Sequence, residues 1–259
     1  MGALLDKLDR ASKGAARPLG FGSAAREEQV APVLLLGVVD AGDKAAAKLA
    51  ADAKVDAVLV RAEGAKKTEL AATHKALGEL VHGLWREQAT ADGPLGDFQV
   101  FSSEETPMAV LGGEERTNVM VVSPEVPDEL LRTLDLLPVD AFLVSLTDVD
   151  ALNVRQLMRL GRVRGVTSRW LFAELSALPS KEELEQLREV GISAVAVAMK
   201  GQTAKALAEA RKVLAELPRE VPERSKGRNV ATVPQVSGAL PGGRPAPEPA
   251  PDDDDYDDE

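Results

Sequence analysis

The chain of 259 residues contains no cysteine. That excludes disulfides, thiolate nucleophiles, zinc–thiolate centres and Cys-ligated iron–sulfur clusters. Histidine is almost missing too: with only two, a His-rich metal site has too few ligands, and no metal site is assigned. No apolar run approaches the length of a membrane span, so no membrane association is expected. The opening segment does not read as a secretory signal, because Asp6 and Asp9 interrupt any apolar core. Gly2 raises an acylation reading, but the motif wants Ser or Thr where Asp6 stands. An excess of basic residues is also lacking. Formal net charge is −11, and the last eight residues, 252–259, hold seven acids around Tyr256. Without them the balance is 31 basic against 35 acidic residues, or −4. No nucleic-acid partner is therefore expected, and cytoplasm is the expected location.

What is present suits a folded protein. Hydrophobic residues make up 44% and charged residues 28% of the chain, and its length supports a sizeable core. Three regions follow from composition. Residues 1–29 form a leader, in which Leu4, Leu5 and Leu8 could make one amphipathic turn or two before Gly14, Pro18, Gly20 and Gly22 break any continuation. Residues 30–217 form the body. From Pro218 onward, eight of the sixteen prolines lie between Pro218 and Pro251. Residues 218–259 thus read as a disordered, Pro-rich linker ending in an acidic tail.

The body alternates between short β-rich runs and helical patterns, which is the signature of β-α units around a parallel sheet. Strands are expected at Val33–Val39, Asp56–Val60, Leu80–Trp85, Phe98–Phe101, Asn118–Val122, Asp140–Ser145, Arg169–Glu174 and Ser193–Ala198. Helices are expected near 42–53, 66–79, 127–136, 151–162, 181–189 and 202–216. The third strand is followed by Asp92, Gly93, Pro94 and Gly96 instead of a helix, and the fourth by a short turn near 104–111. A short echo links Val55–Val60, Val139–Val144 and, more weakly, Ile192–Val197. It fits either an ancient duplication or the common way in which buried parallel strands begin, and the second reading is preferred.

Eight strands with mostly helical crossovers make residues 30–217 resemble a (β/α)8 TIM barrel. The resemblance rests on strand count and order and names no family within the superfold. The body is lean, slightly under the ~200 residues at the lower end for such barrels. Its third and fourth units leave a barrel distorted there, or an open doubly wound sheet, as alternatives. In either topology ligands bind beyond the carboxyl ends of the strands.

Strand alternation then selects the candidate site. Charged residues at strand tips should turn toward the barrel mouth, because the helical layer would desolvate them at high cost. This places Asp40 above Val38 and Leu36, Arg61 above Leu59, Glu174 above Phe172 and Trp170, and Lys200 just beyond Ala198. Glu174, Lys200, Asp40 and Arg61 end strands that are consecutive around a closed barrel. Such a set offers a carboxylate base, cations for an anionic intermediate and a lysine able to form a Schiff base. It equally describes a salt-bridge ring closing the barrel. Gly201, Gln202 and Thr203 open the last helix, where backbone N–H groups could hold a phosphate or a flavin, or where Thr203 or Gln202 is an ordinary cap. No cofactor is specified.

The remaining candidates are weaker. His82 reads as a hydrogen-bonded core residue and His74 as solvated. Trp85, Arg86, Ser102, Ser103, Glu104, Ser123 and Ser145 end other strands, but no serine has a credible histidine partner for a Ser–His–Asp triad. Asp40, Glu63 and Glu174 could offer oxygen ligands to Mg²⁺, although no motif requires it. Two functions emerge. One is a barrel enzyme acting on a small anionic metabolite, phosphorylated ones included, at the mouth. The other is a non-catalytic scaffold or regulatory module that captures a basic protein partner through 252–259. The sequence assigns no oligomeric state.

Overall fold

The computed structural model describes residues 2–13, 31–90, 96–111, 116–148 and 151–218. The remaining leader residues and the Pro-rich acidic tail lie outside these described residues. The eight β-rich runs become β1 (Leu34–Asp40), β2 (Ala57–Arg61), β3 (His82–Arg86), β4 (Phe98–Phe101), β5 (Thr117–Val121), β6 (Ala141–Leu146), β7 (Trp170–Leu175) and β8 (Ala194–Ala198). All pair in parallel and in chain order, and β8 returns to β1. The chain is a closed (β/α)8 barrel, not an open sheet. The runs are nearly continuous in hydrophobicity because both faces are covered. Leu35, Val39, Val58, Val60 and Val195 face the helices, whereas Leu36, Val38, Ala57, Leu59 and Ala196 face the barrel interior.

Helices cover most of the wall: α2 (Lys44–Asp52), α3 (Lys67–Leu77), α5 (Val154–Arg164), α6 (Lys181–Val190) and α7 (Ala204–Glu216). Their starts are chemically marked. Asp43, Asn153, Ser180 and Thr203 each accept a backbone N–H from the first turn, and Ser180 with Glu183 forms a reciprocal capping box. One flank is thin. No helix is described between β3 and β4, and β4 is followed only by a 3₁₀ turn, Met108–Val110. The single helix expected over 127–136 is instead split into α4 (Asp128–Leu131) and a 3₁₀ turn, Leu134–Leu136. Thr133 sits between the two and gives its hydroxyl to the Leu130 carbonyl, and Pro138 prevents the turn from continuing.

The interior is filled by alternating bulk. Phe98, Phe172, Leu59 and Leu143 pack among Ala57, Ala141, Ala194 and Ala196. Gly83 is needed here because an added Cβ would stand 2.3 Å from the Phe98 ring. The base of the barrel is closed by α1 (Ala3–Lys13), whose Leu4, Leu8 and Ala11 are buried in the same cluster as the strand residues. The sequence alone sets residues 1–29 apart from the body. The structure makes the first part of that leader a piece of the barrel core.

The echo between strands has a physical basis. Asp56, at the start of β2, accepts the Leu35 N–H from β1 at 2.8 Å. Asp140, at the start of β6, accepts the Asn118 N–H from β5 at 2.8 Å. Asp97, before β4, does the same for the His82 N–H at 2.9 Å. Each carboxylate satisfies a backbone donor of the preceding strand at the base of the wall. At Asp56, burial outweighs that hydrogen bond and pushes the carboxyl above the usual carboxylate range.

Candidate functional site at the barrel mouth

The inward series end in polar or charged residues at the carboxyl ends of the strands. Glu174 sits near the end of β7 and is almost wholly buried, at 2% exposure. Arg61 ends β2 and reaches across the mouth, so that Nη2 donates to Glu174 Oε1 at 2.5 Å. In the ring of strands β8 and β1 lie between them. Ser145 on β6 stands beside Glu174 in register and donates its hydroxyl to Oε2 at 2.6 Å. Trp85 on β3 stands beside Arg61 in register, and the Arg61 guanidinium carbon lies 5.2 Å from its ring centre. The four side chains form a strap across the opening: serine, carboxylate, guanidinium and indole.

The strap sorts its members electrostatically. A lone buried carboxylate would be expensive; here one oxygen meets a cation and the other a hydroxyl. Arg61 is different because 46% of its side chain remains exposed. Its guanidinium carries five donors, and the contact with Glu174 uses only part of that capacity. The Trp85 indole lies within cation–π reach of the same guanidinium, 5.2 Å from ring centre to guanidinium carbon. Glu174 thus orients Arg61, while Arg61 keeps donors toward solvent.

Of the four residues expected at the mouth, Glu174 and Arg61 are brought together. Asp40 lies next to Arg61 in strand register, but its side chain is exposed. Lys200 is exposed beyond β8. Among the described residues, neither the Asp40 carboxylate nor the Lys200 ammonium takes part in a hydrogen bond or ion pair. The arrangement is a two-residue bridge with a free acid and a free base on its rim, not a four-member ring.

The opening of the last helix is occupied by capping. Thr203 accepts the Ala206 N–H at 3.2 Å, Gln202 gives its backbone N–H to Met199, and Gly201 takes a left-handed φ of +83°. Two backbone donors near that turn are therefore already used within the chain.

Other candidates take local roles. Glu63 accepts the Glu87 N–H, and among the described residues no three His, Asp or Glu side chains gather as a metal centre would require. His82 is buried, as expected of a core residue, with Nδ1 2.9 Å from the Leu80 carbonyl. That carbonyl can only accept, so Nδ1 carries a proton. His74 lies on an exposed part of α3, as expected, but its Nδ1 is 2.9 Å from His82 Nε2. Sequence reasoning missed that pair, and it missed Ser145 and Trp85 as partners of the strap. For the strap the signal was available, since both residues share the inward parity of the strand ends.

The fold and mouth together define the chain as a TIM barrel with a charged strap over its carboxyl-end opening. Among solved structures, thiamine phosphate pyrophosphorylase from Pyrococcus furiosus is similar with a TM-score of 0.55 and 16% identity, over 71% of this chain and 96% of that one. Tryptophan synthase from Mycobacterium tuberculosis is similar with a TM-score of 0.51 and 15% identity, over 71% of this chain and 91% of that one. Both neighbours are enzymes, and at these identities the likeness extends to the fold alone. No protein-family model matches the chain, and no curated protein matches its sequence. Among the described residues, no helix is long and apolar enough to cross a membrane.

Proposed function

We propose that the protein is an enzyme acting on a small anionic metabolite at the barrel mouth. The observation that carries this reading is Arg61, held by Glu174 and within cation–π reach of Trp85, yet 46% exposed. A preoriented guanidinium is suited to a carboxylate or phosphate. Lys200 supplies a second cation on the same rim. Asp40 is the carboxylate left with acceptor capacity, which suits it to take a proton, while Glu174 serves as the residue that positions Arg61. A phosphate would draw on Arg61 and Lys200 and on the remaining amides around Gly201, Gln202 and Thr203. A cytoplasmic setting belongs to the same proposal.

The test uses the full chain. Thermal shift is measured with inorganic phosphate and with small phosphorylated or carboxylated metabolites, on the native protein and on Arg61→Lys and Lys200→Ala. Native mass spectrometry of gently purified protein looks for a retained ligand. A ligand-dependent rise in Tm that both substitutions reduce supports the site. A rise that survives both, or no rise with any anion, refutes it.

A second reading is favoured by the saturation of Glu174, both of whose oxygens are engaged. On that reading the strap only closes the barrel, and the protein is a scaffold or regulatory module capturing a basic partner through 252–259. Deleting 219–259 would then abolish partner capture with the barrel still folded.

A further inference from the structure

Charge on the rim of the barrel mouth is sorted by sector. Strands β8, β1 and β2 are consecutive in the ring, and the helices that follow them begin at the mouth with lysine. Lys44 opens α2, Lys66 and Lys67 begin α3, and Lys205 lies in the first turn of α7, shortly after Lys200. All five are exposed. Among the described residues, none of their ammonium groups takes part in a hydrogen bond or ion pair. The first turns of α2 and α7 hold no acid. Elsewhere on the rim the same positions are acidic: α4 opens with Asp128 and Glu129, and α6 has Glu182 and Glu183 in its first turn.

A helix N-terminus disfavours cations, so lysine there opposes the helix dipole. Three neighbouring helices place it there all the same. The acids of the sector do not cancel it. Asp43, Glu63 and Glu69 each accept a backbone N–H, which leaves Asp40. With Arg61 included, residues 40–44, 61–69 and 199–205 present six cations against four acids around one opening.

The same chain carries the complementary charge. Residues 252–259 hold seven acids and no base. The segment that bears them departs directly below the lysines. α7 runs from the mouth to Glu216 at the base, where Leu217 is buried at 3% exposure. The way back along α7 is about 20 Å at 1.5 Å per residue. The intervening residues, 219–251, would span about 30 Å as a flexible coil and about 100 Å as polyproline. Either reach is sufficient. A coil length close to the span gives the highest effective concentration, on the order of millimolar.

We propose that residues 252–259 dock on this lysine sector of their own barrel, screening Arg61 and Lys200 and competing with any anion for the mouth. The tether gives this segment an advantage that a free polyanion lacks, and the acidic helix openings on the rest of the rim would repel a longer one.

The test treats the dilute full chain with a water-soluble carbodiimide, which joins a carboxylate to an amine only where the two touch, and maps the products by mass spectrometry. The expected result is a product of single-chain mass with residues 252–259 joined to Lys44, Lys66, Lys67, Lys200 or Lys205. It should be lost in about 1 M NaCl, where the Debye length is about 3 Å. A second chain keeps its length but has each Asp of 252–258 changed to Asn, with Glu259→Gln. It should bind the trisulfonated dye pyranine about tenfold more tightly than the native chain does, because the tethered competitor is gone. Combining Lys44→Glu, Lys67→Glu and Lys205→Glu keeps Arg61 and Lys200 and suits the helix N-termini better, so Tm should not fall while most tail cross-links disappear. The proposal is overturned if tail cross-links favour lysines away from the mouth, such as Lys75 and Lys212 in the later turns of α3 and α7, or form only between two chains. It is also overturned if the triple variant cross-links as the native chain does, or if pyranine binds the native and neutral-tail chains alike. None of these readouts depends on turnover, so the docking and the enzyme reading fail separately.

Discussion

Leu8→Ala tests whether α1 closes the barrel in solution. Leu8 is 1% exposed and belongs to the cluster formed by inward residues of the strands. Truncation removes three buried carbons and leaves a void that eight hydrogen-bonded strands cannot readily collapse around. Leu→Ala changes at such positions cost about 3 kcal/mol, within a range of roughly 2–5. Alanine recovers little of this, because leucine is already a good helix former. For a body of this size each kcal/mol lowers Tm by about 2–4 °C, so the expected fall is about 6–12 °C. The assay is thermal unfolding by circular dichroism, repeated in urea to check that the slope is unchanged. Asp6→Ala on the same helix is the control and should move Tm by no more than about 2 °C. If Leu4 is truncated as well, the loss should level off once it matches deletion of residues 2–13, because an undocked helix has nothing more to lose. A fall of less than about 1 °C for Leu8→Ala would refute the docking, since no buried leucine of this kind is that cheap.

Arg61→Ala strands the buried Glu174 carboxylate and should cost about 3 kcal/mol at neutral pH. Adding Glu174→Gln should recover most of it; urea denaturation of the single and double variants reads both, and a deficit that the second substitution leaves unchanged would contradict the strap. Asp135 behaves oppositely to Asp56. The Thr167 hydroxyl and the Ser168 N–H and hydroxyl hold the Asp135 carboxyl below the usual range. Its contribution is therefore present above the ordinary value of 3.8 and lost as pH falls through the lower, folded value. The stability gap between the native chain and Asp135→Asn should accordingly close in acid. For Asp56, whose folded value is raised, stability falls as pH rises from 3.8 toward that value, so Asp56→Asn should gain relative to the native chain over the same rise. Gly83→Ala drives a methyl into the Phe98 ring and should cost about 2–3 kcal/mol in a urea melt; no loss would mean the ring has room to move.

Much of the barrel was legible because its strands are buried on both faces. Val33–Val39 and Asp140–Ser145 are apolar runs that no exposed element would carry, and their observed limits lie a residue away. Parity was legible for a related reason: Arg61 and Glu174 are charges at the ends of such runs, and only the mouth could hydrate or pair them. Their pairing was not legible. It depends on Arg61 spanning β1 and β8, whose small Ala196 and Ala198 leave room for it, and such distances exist only once the ring closes. The role of α1 was hidden for the same cause, since its partner surface comes from strands across the whole chain. The splitting of 127–136 escaped because its periodicity is helical; what breaks it is a hydroxyl at Thr133 competing for a backbone carbonyl. The Asp56 and Asp140 echo was visible as a pattern, but its job as a backbone acceptor was not.

The plug at the base of the barrel also bears on the order of folding. Residues 3–13 are synthesised before any strand of the barrel, yet Leu4 and Leu8 have no surface to bury against until residues as distant as Ala194 and Ala196 have joined the ring. Their docking spans almost the full body, so it carries the loop-closure cost of non-local contacts and comes late. Until then the chain exposes an amphipathic helix. Contacts made after the rate-limiting step act on the unfolding rate and leave the folding rate nearly unchanged. Helix α1 is thus expected to work as a latch, adding little to the speed with which the barrel forms and slowing its opening.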